Sequence, residues 1–326
     1  MPEPIIEVKN LRVYFYTYAG VVKAIENVSF DIYRGETLAL VGETGCGKSV
    51  TSRAITQLIE SPGRIVSGQV IYHRDDGSTV DLLKLNEEKI REIRGNEIAY
   101  IFQDPHSSLD PLYTVGYQIG EAMEVHGKVK NIKEGIGRAV NILKEVLIPD
   151  PKNRVKNYPH ELSGGMKQRV VIGIGVSNNP RLLIADEPTT ALDVTVQAQI
   201  LELLNELKRK YNATVLLITH NLGVVAETAQ RVVVMYAGKV VEIGSIDQIF
   251  HNPLHPYTVA LLRAVPNPLK RIDRLESIPG TVPNLITPPK GCRFHPRCPY
   301  ATEICRRKEP ELKEIEPGHF VACHQY

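Results

Sequence analysis

The segment 42–49 constrains the fold more than any other part of the chain. Its glycines Gly42 and Gly47 have four residues between them, and Lys48 and Ser49 follow Gly47 directly. An apolar run at 38–41 precedes the segment, and a helical pattern at 50–59 follows it. When a strand leads through a glycine-rich loop into a helix, the glycines let backbone N–H groups turn inwards around a phosphate, and the helix N-terminus adds a favourable dipole. The pattern therefore predicts a phosphate-binding loop.

The residue types in this loop suit the chemistry of nucleotide phosphates. Lys48 is placed to reach the β- and γ-phosphates, and the Ser49 hydroxyl is placed to bind Mg²⁺. The alternative, a glycine-rich turn that binds nothing, is disfavoured by the strand and helix on either side. We therefore predict ATP and Mg²⁺ as cofactors. The residues predicted to hold the nucleotide here are Gly42, Glu43, Thr44, Gly45, Cys46, Gly47, Lys48, Ser49 and Thr51.

Several further apolar runs have the pattern of fully buried strands in a parallel sheet. They lie at 98–102, 182–185, 215–219 and 232–236. Helical patterns such as 197–209 lie between them, which indicates an α/β fold with a mostly parallel sheet. The segment 5–32 resembles an antiparallel β layer. The segment 116–157 is predicted to be mostly helical, with five glycines that we expect to loosen it.

Polar side chains follow several of these predicted strands. Asp186 and Glu187 follow one strand, and Gln103 and His220 each end another. An acidic pair after a strand is often only solvated, but ligands of doubly wound sheets bind beyond the carboxyl ends of the strands. We therefore predict Asp186 and Gln103, with Ser49, as Mg²⁺ ligands. Glu187 is predicted to polarise the attacking water, and His220 and Gln103 are predicted to be catalytic as well.

Overall composition excludes several classes of function. The net charge of +2 favours neither a nucleic-acid partner nor an acidic tail. No apolar run reaches the 18 or so residues that a membrane-spanning helix needs, and the N-terminus lacks the basic and apolar regions of a signal peptide. We therefore expect a cytoplasmic protein whose contact with a membrane is made through partners.

The composition of the chain changes after about residue 250. Ten prolines lie between residues 253 and 299 and disfavour long regular elements there. We place a domain boundary at 245–255, which gives a domain at 1–250 and a small irregular domain at 251–326. All of the cysteines except Cys46 lie in the second domain. Because a reducing compartment disfavours disulfides, metal binding is the favoured explanation of this cluster.

The segment 162–168 provides a second candidate anion site. Ser163 precedes two glycines and a helical pattern, so this loop can cap a helix and direct its N-terminus at a phosphate. A plain helix cap is the alternative. The stretch Leu-Ser-Gly-Gly-Met-Lys-Gln resembles the signature motif of ABC ATPases, and this resemblance extends over roughly residues 4–250.

The resemblance implies roles for residues along the whole cassette. It implies a P-loop ABC ATPase fold with an antiparallel β subdomain and a helical subdomain at about 104–180. Gln103 resembles the Q-loop glutamine, His220 the switch histidine and 191–193 the D-loop. An aromatic side chain should stack on adenine, and we predict Tyr18, with Tyr16 as the alternative. The residues implied to contact nucleotide in a partner subunit or across the dimer are Ser163, Gly164, Gly165 and Asp193.

The C-terminal region narrows the family further. The segments 252–258 and 291–299 resemble the tail of oligopeptide and dipeptide importer ATPases, with nickel importers as the alternative. This resemblance implies an ATPase that powers import of dipeptides or oligopeptides. The implied partners are a second ABC ATPase subunit in a heterodimer, two permease subunits that contact 104–160, and an external solute-binding protein. The chain would lie peripherally on the cytoplasmic face of the membrane.

Four cysteines in this tail form a candidate metal centre. Cys292, Cys298, Cys305 and Cys323 have five, six and seventeen residues between them. Structural zinc sites usually contain closer pairs, whereas four thiolates with nearby prolines suit a [4Fe–4S] cluster, which members of the resembled group carry. The alternatives are Zn²⁺, with a histidine replacing a cysteine, and four unrelated thiols. The histidines considered for zinc are His295, His319 and His324.

Two functions of other classes compete with transport. A soluble ABC ATPase acting on ribosomes or DNA usually has two cassettes or a long coiled coil, and this chain has one cassette and no sustained heptad pattern. A P-loop kinase acting on a small molecule would lack the signature motif at 162–168. Both alternatives are therefore less favoured than a transport ATPase.

Overall fold

The structure is a computed structural model that describes residues 3–190, 192–264 and 278–326. Contacts divide the chain into two compact units. The first comprises the described residues of Met1–Lys84 and Leu217–Tyr326, and the second comprises those of Leu85–Leu216. In the described part of the chain, no helix is long and apolar enough to cross a membrane.

The elements are named in chain order. The first unit begins with β1 (Pro4–Thr17), β2 (Gly20–Tyr33), β3 (Thr37–Val41), α1 (Lys48–Ile55), β4 (Gly63–His73) and β5 (Thr79–Asp81). The second unit contains α2 (Glu87–Ile93), β6 (Ile98–Ile101), α3 (Pro105–Ser108), α4 (Val115–Val125), α5 (Ile132–Glu145), α6 (Pro151–Arg154), α7 (Gly164–Val176), β7 (Leu182–Asp186) and α8 (Val194–Tyr211). After β8 (Thr214–Ile218), the first unit continues with α9 (Leu222–Thr228), β9 (Arg231–Tyr236), β10 (Lys239–Ser245), α10 (Ile246–His251), α11 (Pro256–Arg263), α12 (Glu303–Arg307), β11 (Lys313–Glu316) and β12 (His319–Val321).

An antiparallel sheet opens the first unit. Its strands run in the order β2, β1, β4 and β5, in agreement with the predicted β layer. Apolar residues of β1 such as Ile6, Val8 and Val13 are buried, and the alternation that buries them is shifted by register irregularities along the β1–β2 pair. Asn10 and Asn27 adopt left-handed backbone conformations at these shifts, which asparagine tolerates better than most residues.

The phosphate loop follows a strand of a second sheet in the same unit. All five residues of β3 are buried, and β3 pairs with β9 in parallel. The sheet continues through β10, β12 and β11, and each of those pairings is antiparallel. The sheet in this unit is therefore mixed rather than mostly parallel. The reason is local, because a two-residue turn at Ala237 and Gly238 joins β9 to β10, and such a short connection permits only an antiparallel pair.

The second unit combines a parallel strand pair with helices. Strands β6 and β7 pair in parallel, and most of the side chains of α7 from Gln168 onwards are buried. The segment predicted to be helical contains α4, α5 and α6. Its glycines do not all loosen it, because a Cβ on Gly120 would lie 2.9 Å from the Gly135 carbonyl carbon. These two glycines let α4 and α5 approach closely.

The C-terminal region of the first unit contains only short elements, in keeping with its prolines. Its core is an aromatic cluster, defined as Tyr236, Tyr257 and Phe294, with ring centroids 4.6 to 5.4 Å apart. All three rings are buried among the apolar residues of β3 and β9. His255 caps α11, because its Nδ1 accepts the Tyr257 N–H at 3.0 Å. This cap fixes where Tyr257 enters the cluster.

Candidate nucleotide-binding and catalytic site

The glycines of the phosphate loop have backbone conformations that require glycine. Gly42, Gly45 and Gly47 all have positive φ, at 146°, 82° and 104°. A Cβ on Gly42 would lie 2.2 Å from the Met235 carbonyl oxygen, and a Cβ on Gly47 would lie 2.6 Å from the Ile25 side chain. Larger residues would therefore both strain the loop and displace its neighbours. The predicted phosphate loop has the backbone that such a loop needs.

Lys48 is held within the loop by backbone carbonyls. Its side chain is buried, and its ammonium donates to the Gly42 oxygen at 2.8 Å and to the Glu43 oxygen at 3.3 Å. Ser49 is the second residue of α1, and the Thr51 hydroxyl donates to the Gly47 oxygen at 2.9 Å. The ammonium thus lies inside the loop, where it can exchange carbonyl partners for phosphate oxygens.

Cys46 is a packing residue of the same loop. Its side chain is buried, and a Cβ added at Gly42 would meet its sulfur at 2.8 Å. Burial raises the pKa of the Cys46 thiol, which keeps it in the neutral form. A neutral thiol in this place acts as a small apolar side chain.

In the second unit, adjacent carboxylates at the end of β7 have separate partners. Asp186 is buried and accepts a hydrogen bond from the Tyr100 hydroxyl at 2.8 Å. Glu187 accepts from the Gln103 amide at 3.0 Å and from the Thr190 hydroxyl at 2.9 Å. Two of the predicted catalytic residues, Gln103 and Glu187, are therefore in direct contact. Tyr100 is a site residue that the sequence analysis missed, since it lies inside an apolar run that gave no polar signal.

Glu187 has an unusual backbone for its residue type. Its φ is 46°, in the left-handed region, which costs a residue with a Cβ of order 1–3 kcal/mol and is common at functional sites. The hydrogen bonds from Gln103 and Thr190 stabilise the side chain in this conformation.

The signature segment forms a helix N-terminus, as predicted. Ser163 caps α7, and its hydroxyl accepts the Met166 N–H at 3.3 Å. Gly164 and Gly165 form the first turn, and a Cβ on Gly165 would lie 2.9 Å from Val196. Gly165 therefore lets α7 pack close to α8.

Asp193, which lies in the predicted D-loop, has a structural role as a helix cap. Its carboxylate accepts the Val196 N–H at 2.9 Å and caps α8. The predicted D-loop also includes Ala191, which lies outside the described residues. His220 is exposed and follows β8, and the next residue, Asn221, caps α9. A nucleotide contact of Asp193 or His220 stays a prediction.

Comparison with protein-family models decides the family. A model described as ABC transporter matches residues 25–190, and one described as Oligopeptide/dipeptide transporter, C-terminal region, matches residues 241–305. A probable peptide ABC transporter ATP-binding protein of Sinorhizobium fredii is 50% identical, and the match covers 98% of this chain and 94% of that protein. The chain belongs to the ABC transporter family.

Further relatives agree with this placement. Dipeptide transport ATP-binding proteins of Lactococcus lactis and Escherichia coli are 49% and 48% identical. Each match covers 98% of this chain, with 90% and 96% of the respective relative. The resemblance predicted from the motifs is therefore confirmed.

Solved structures confirm the P-loop ABC ATPase fold. The ATP-binding cassette MJ0796, solved as a dimer bound to ADP and phosphate, is 26% identical with a TM-score of 0.64. That match covers 74% of this chain and 98% of the cassette. A second structure, cbiO1 of Clostridium perfringens, described as part of an ABC transporter complex, is 29% identical with a TM-score of 0.62 and covers 77% of this chain and 92% of its own. The chain is an ATPase of this fold.

The aromatic residues proposed to meet adenine differ in their surroundings. Tyr18 is fully exposed at the turn between β1 and β2. The Tyr16 ring is half-exposed and has the Arg64 guanidinium 5.5 Å from its centroid. A cation over the ring competes with a stacking base, so these surroundings favour Tyr18 over Tyr16. The assignment stays a prediction.

Two residues from the C-terminal region contact the phosphate loop of this ABC ATPase. The Tyr257 hydroxyl accepts the Glu43 N–H at 2.8 Å, and Arg297 forms an ion pair with the Glu43 carboxylate at 2.7 Å. Both residues lie in the segments 252–258 and 291–299, which carry the tail resemblance. No local pattern could reveal these contacts, because more than 200 residues separate the partners.

The four cysteines of the tail are neighbours. The Cys292 N–H donates to the Cys305 carbonyl at 2.8 Å. Burial, together with the nearby thiols of Cys305, Cys323 and Cys298, raises the pKa of the Cys292 thiol to about 11. Burial also raises the pKa of Cys298 and of Cys323. Within the described residues, however, no group of three or more His, Cys, Asp or Glu side chains has the geometry to hold a metal ion.

The histidines considered as zinc ligands each make a hydrogen bond through one ring nitrogen. Each has one ring nitrogen 2.8 Å from an acceptor. The pairs are His295 with the Cys292 carbonyl, His319 with the Glu242 carboxylate and His324 with the Lys308 carbonyl.

Proposed function

We propose that this ABC ATPase hydrolyses ATP to drive import of dipeptides or oligopeptides through a membrane transporter. The observation that carries the proposal is the match of residues 241–305 to the oligopeptide and dipeptide transporter C-terminal region. Relatives named for peptide or dipeptide transport match 98% of the chain. The predicted function, an ATP-binding subunit of a peptide importer, agrees with these relatives.

The proposed substrate is a peptide rather than nickel. Nickel import is the alternative that the tail resemblance left open. The relatives in Sinorhizobium fredii, Lactococcus lactis and Escherichia coli are named for peptides or dipeptides. Their names therefore favour the peptide, and peptide length is left to experiment.

The loop residues are proposed to bind the nucleotide. The backbone N–H groups of 42–49 and the ammonium of Lys48 would neutralise the phosphate oxygens, and Ser49 would hold Mg²⁺ with Asp186 and Gln103. When bound, Mg²⁺ would neutralise part of the phosphate charge. Tyr18 is proposed to stack on adenine.

Hydrolysis is proposed to depend on Glu187. The Gln103 amide and the Thr190 hydroxyl orient its carboxylate, and a carboxylate is a group that can accept a proton from water. His220 and Gln103 are proposed to orient the γ-phosphate and the water. Ser163, Gly164 and Gly165 are proposed to contact ATP held by a second ATPase subunit, since a capped helix N-terminus suits an anion.

The proposed assembly has a second ABC ATPase subunit and two permeases. An external solute-binding protein would deliver the peptide, and this chain would lie on the cytoplasmic face of the membrane. The test is copurification of the tagged chain from membranes, followed by identification of its companions. Recovery of two multi-spanning proteins and a second ATPase supports the proposal, and recovery of ribosomes or DNA instead would refute it.

We also propose that Cys292, Cys298, Cys305 and Cys323 bind a [4Fe–4S] cluster. The donor set suits the cluster, because the thiols of Cys298, Cys305 and Cys323 lie near enough to Cys292 to raise its pKa. Their present positions do not form a metal site, so binding requires the thiols to deprotonate and move together. When bound, the cluster would supply a covalent link between loop segments.

Iron analysis tests this proposal. Protein purified without oxygen should contain about four iron and four sulfide per chain, and a Cys305→Ser variant should lose them. Cys46→Ser serves as the control and should keep its iron, because Cys46 lies in the phosphate loop. Finding one zinc and no iron would favour the alternative, and finding no metal would favour four unrelated thiols.

A further inference from the structure

Glu43 of the phosphate loop is held from two directions by residues far along the chain. Its backbone N–H donates to the Tyr257 hydroxyl at 2.8 Å. Its carboxylate faces the Arg297 guanidinium, with 2.7 Å from Nη1 to Oε2 and 3.1 Å from Nη2 to Oε1. Two parallel hydrogen bonds of this kind form the most directional contact between arginine and a carboxylate. Both the main chain and the side chain of Glu43 are therefore fixed.

Arg297 is also held in place by contacts other than those with Glu43. Its side chain is only 4% exposed. Its Nε donates to the Pro279 carbonyl at 2.8 Å, its Nη2 to the Ile278 carbonyl at 3.2 Å and its Nη1 to the Tyr236 hydroxyl at 3.3 Å. The hydrogen bonds to Glu43 raise the pKa of Arg297, so the charge is permanent. A guanidinium held by three other acceptors sets the position of its partner rather than following it.

The aromatic cluster supports both contacts to Glu43. Tyr257 is buried, with its ring centroid 4.6 Å from that of Tyr236 and 5.4 Å from that of Phe294. The Tyr236 hydroxyl is one of the acceptors for Arg297. Tyr257, whose hydroxyl accepts the Glu43 N–H, belongs to the aromatic cluster. Arg297, which donates to the Glu43 carboxylate, also donates to the Tyr236 hydroxyl of that cluster. The same cluster therefore supports both contacts.

The negative charge of Glu43 must be compensated by a cation if the loop is to bind an anion. A carboxylate in a loop that binds polyphosphate would repel the ligand unless a cation compensates it. Arg297 provides that cation. The pair is partly shielded from water, since the Glu43 side chain is 27% exposed, and screening is weaker for such pairs than for exposed ones.

We propose that Arg297 is a positioning residue for the phosphate loop. Through its two hydrogen bonds to the Glu43 carboxylate, and together with Tyr257 at the Glu43 N–H, it sets the loop conformation that binds nucleotide and cancels the loop's negative charge. This inference rests on the proposed role of 42–49 in nucleotide binding. It deepens that role, because nucleotide affinity then depends on the C-terminal region that precedes Cys298.

The experiment is a measurement of nucleotide affinity on the 326-residue chain, with methylanthraniloyl-ATP as the fluorescent probe and Mg²⁺ present. Arg297→Met should weaken binding about tenfold or more, because it leaves a partly buried carboxylate unpaired beside the phosphates. The double variant Arg297→Met with Glu43→Gln should recover affinity to within about threefold of the wild type, since the charge is removed with its partner. Arg297→Lys should give intermediate affinity, because lysine keeps the charge but not the paired geometry.

A matched control separates positioning from general stability. Arg293 is also nearly buried, at 5% exposure, but its ion pair is with Glu26 on β2 rather than with the loop. Arg293→Met should lower the thermal unfolding midpoint while leaving probe affinity within about twofold. Equal loss of affinity in Arg293→Met and Arg297→Met would overturn the assignment of Arg297.

Further variants keep the test decisive if Arg297→Met does not fold. Tyr257→Phe removes only the acceptor of the Glu43 N–H, and it should weaken probe binding severalfold while its unfolding midpoint stays near that of the wild type. Unchanged affinity in both Tyr257→Phe and Arg297→Lys would overturn the proposal.

The proposed nucleotide site itself is tested by Lys48→Ala. This variant should abolish probe binding if 42–49 binds the nucleotide. If Lys48→Ala binds the probe normally, the proposed function of the loop fails, regardless of the result for Arg297.

In the assembled transporter, Arg297→Met should raise the KM for ATP and leave kcat unchanged. A general loss of folded protein would lower the apparent kcat instead.

Discussion

At the scale of single residues, the site depends on how a few charges are held. Glu187 has a left-handed backbone, and its carboxylate accepts hydrogen bonds from Gln103 and Thr190. Lys48 donates to the carbonyls of Gly42 and Glu43. In both cases hydrogen bonds orient the charged side chain, and positioning of this kind is what phosphoryl transfer requires of a protein.

Replacing Glu187 with Gln tests the proposed base. The substitution keeps the shape of the side chain but removes its capacity to take a proton, and we expect turnover to fall by about 10²–10⁴. ATP binding should persist. Steady-state phosphate release by the assembled transporter measures the effect, with Glu206→Gln, an exposed change on α8, as the control. Near-normal hydrolysis in Glu187→Gln would contradict the assignment.

Replacing Ser163 with Arg tests whether the signature loop acts on another subunit's ATP. A long cation at this cap should block approach of a second subunit, while binding of ATP to the isolated chain should be preserved. Loss of the cap alone should cost about 1 kcal/mol of stability. We expect ATPase activity to be lost with unchanged affinity of the monomer for nucleotide. If monomer affinity collapsed instead, the proposed action across subunits would be wrong.

At the scale of elements, close packing and caps determine where the helices lie. Helices α4 and α5 approach through Gly120 and Gly135, and α11 begins at a cap made by a buried histidine. Both features were absent from the sequence analysis. Glycines in a helical pattern had suggested looseness, because the facing glycine on the other helix cannot be recognised from one segment.

A pair of glycine substitutions on these helices should have opposite effects. Gly120→Ala would place a Cβ 2.9 Å from backbone atoms of α5, and we expect it to destabilise the chain by about 1–3 kcal/mol. Gly137→Ala meets nothing within 4 Å and should stabilise it by about 0.5–1 kcal/mol, since alanine is the better helix former. Thermal unfolding measures both. Equal shifts of the same sign would contradict the packing described here.

His255 should make stability depend on pH. Burial lowers the pKa of His255 to about 3 from the ordinary 6.5, so the folded chain keeps this ring neutral. Below pH 6.5 the unfolded state takes up a proton that the folded state does not, and stability falls with decreasing pH by up to about 1.4 kcal/mol per unit. Asparagine can also cap a helix, so His255→Asn should lose less stability between pH 6.5 and 5.5 than the wild type does. His251→Asn, at an exposed ring, is the control, and parallel pH curves for wild type and His255→Asn would refute the assignment.

At the scale of the whole molecule, the sequence predicted local features better than distant ones. The phosphate loop, the caps at Ser163 and the strand that ends at Asp186 were predictable, because each is set by neighbours in the chain. The contact between Glu43 and Arg297 spans 254 residues and has no local pattern. The antiparallel pairing of β9 with β10 makes the first unit's sheet mixed. Apolar runs predict that a segment is a buried strand, but the short turn between the two strands determines that they run antiparallel.

The domain limits remain a prediction. The chain was divided into domains at 1–250 and 251–326 from the change in composition. Contacts instead group the described residues of Met1–Lys84 with those of Leu217–Tyr326. The C-terminal region therefore belongs to the same compact unit as the phosphate loop, which is the basis for its influence on nucleotide binding.

The central claim is that ATP hydrolysis by this chain drives peptide import, and transport in proteoliposomes tests it most directly. The assembled transporter, with its binding protein, would be reconstituted, and uptake of a radiolabelled dipeptide would be measured with ATP on the side that carries this chain. We predict uptake against a gradient that requires ATP and disappears in Glu187→Gln. Uptake that persists without ATP or in Glu187→Gln, or uptake of Ni²⁺ with none of peptide, would contradict the account.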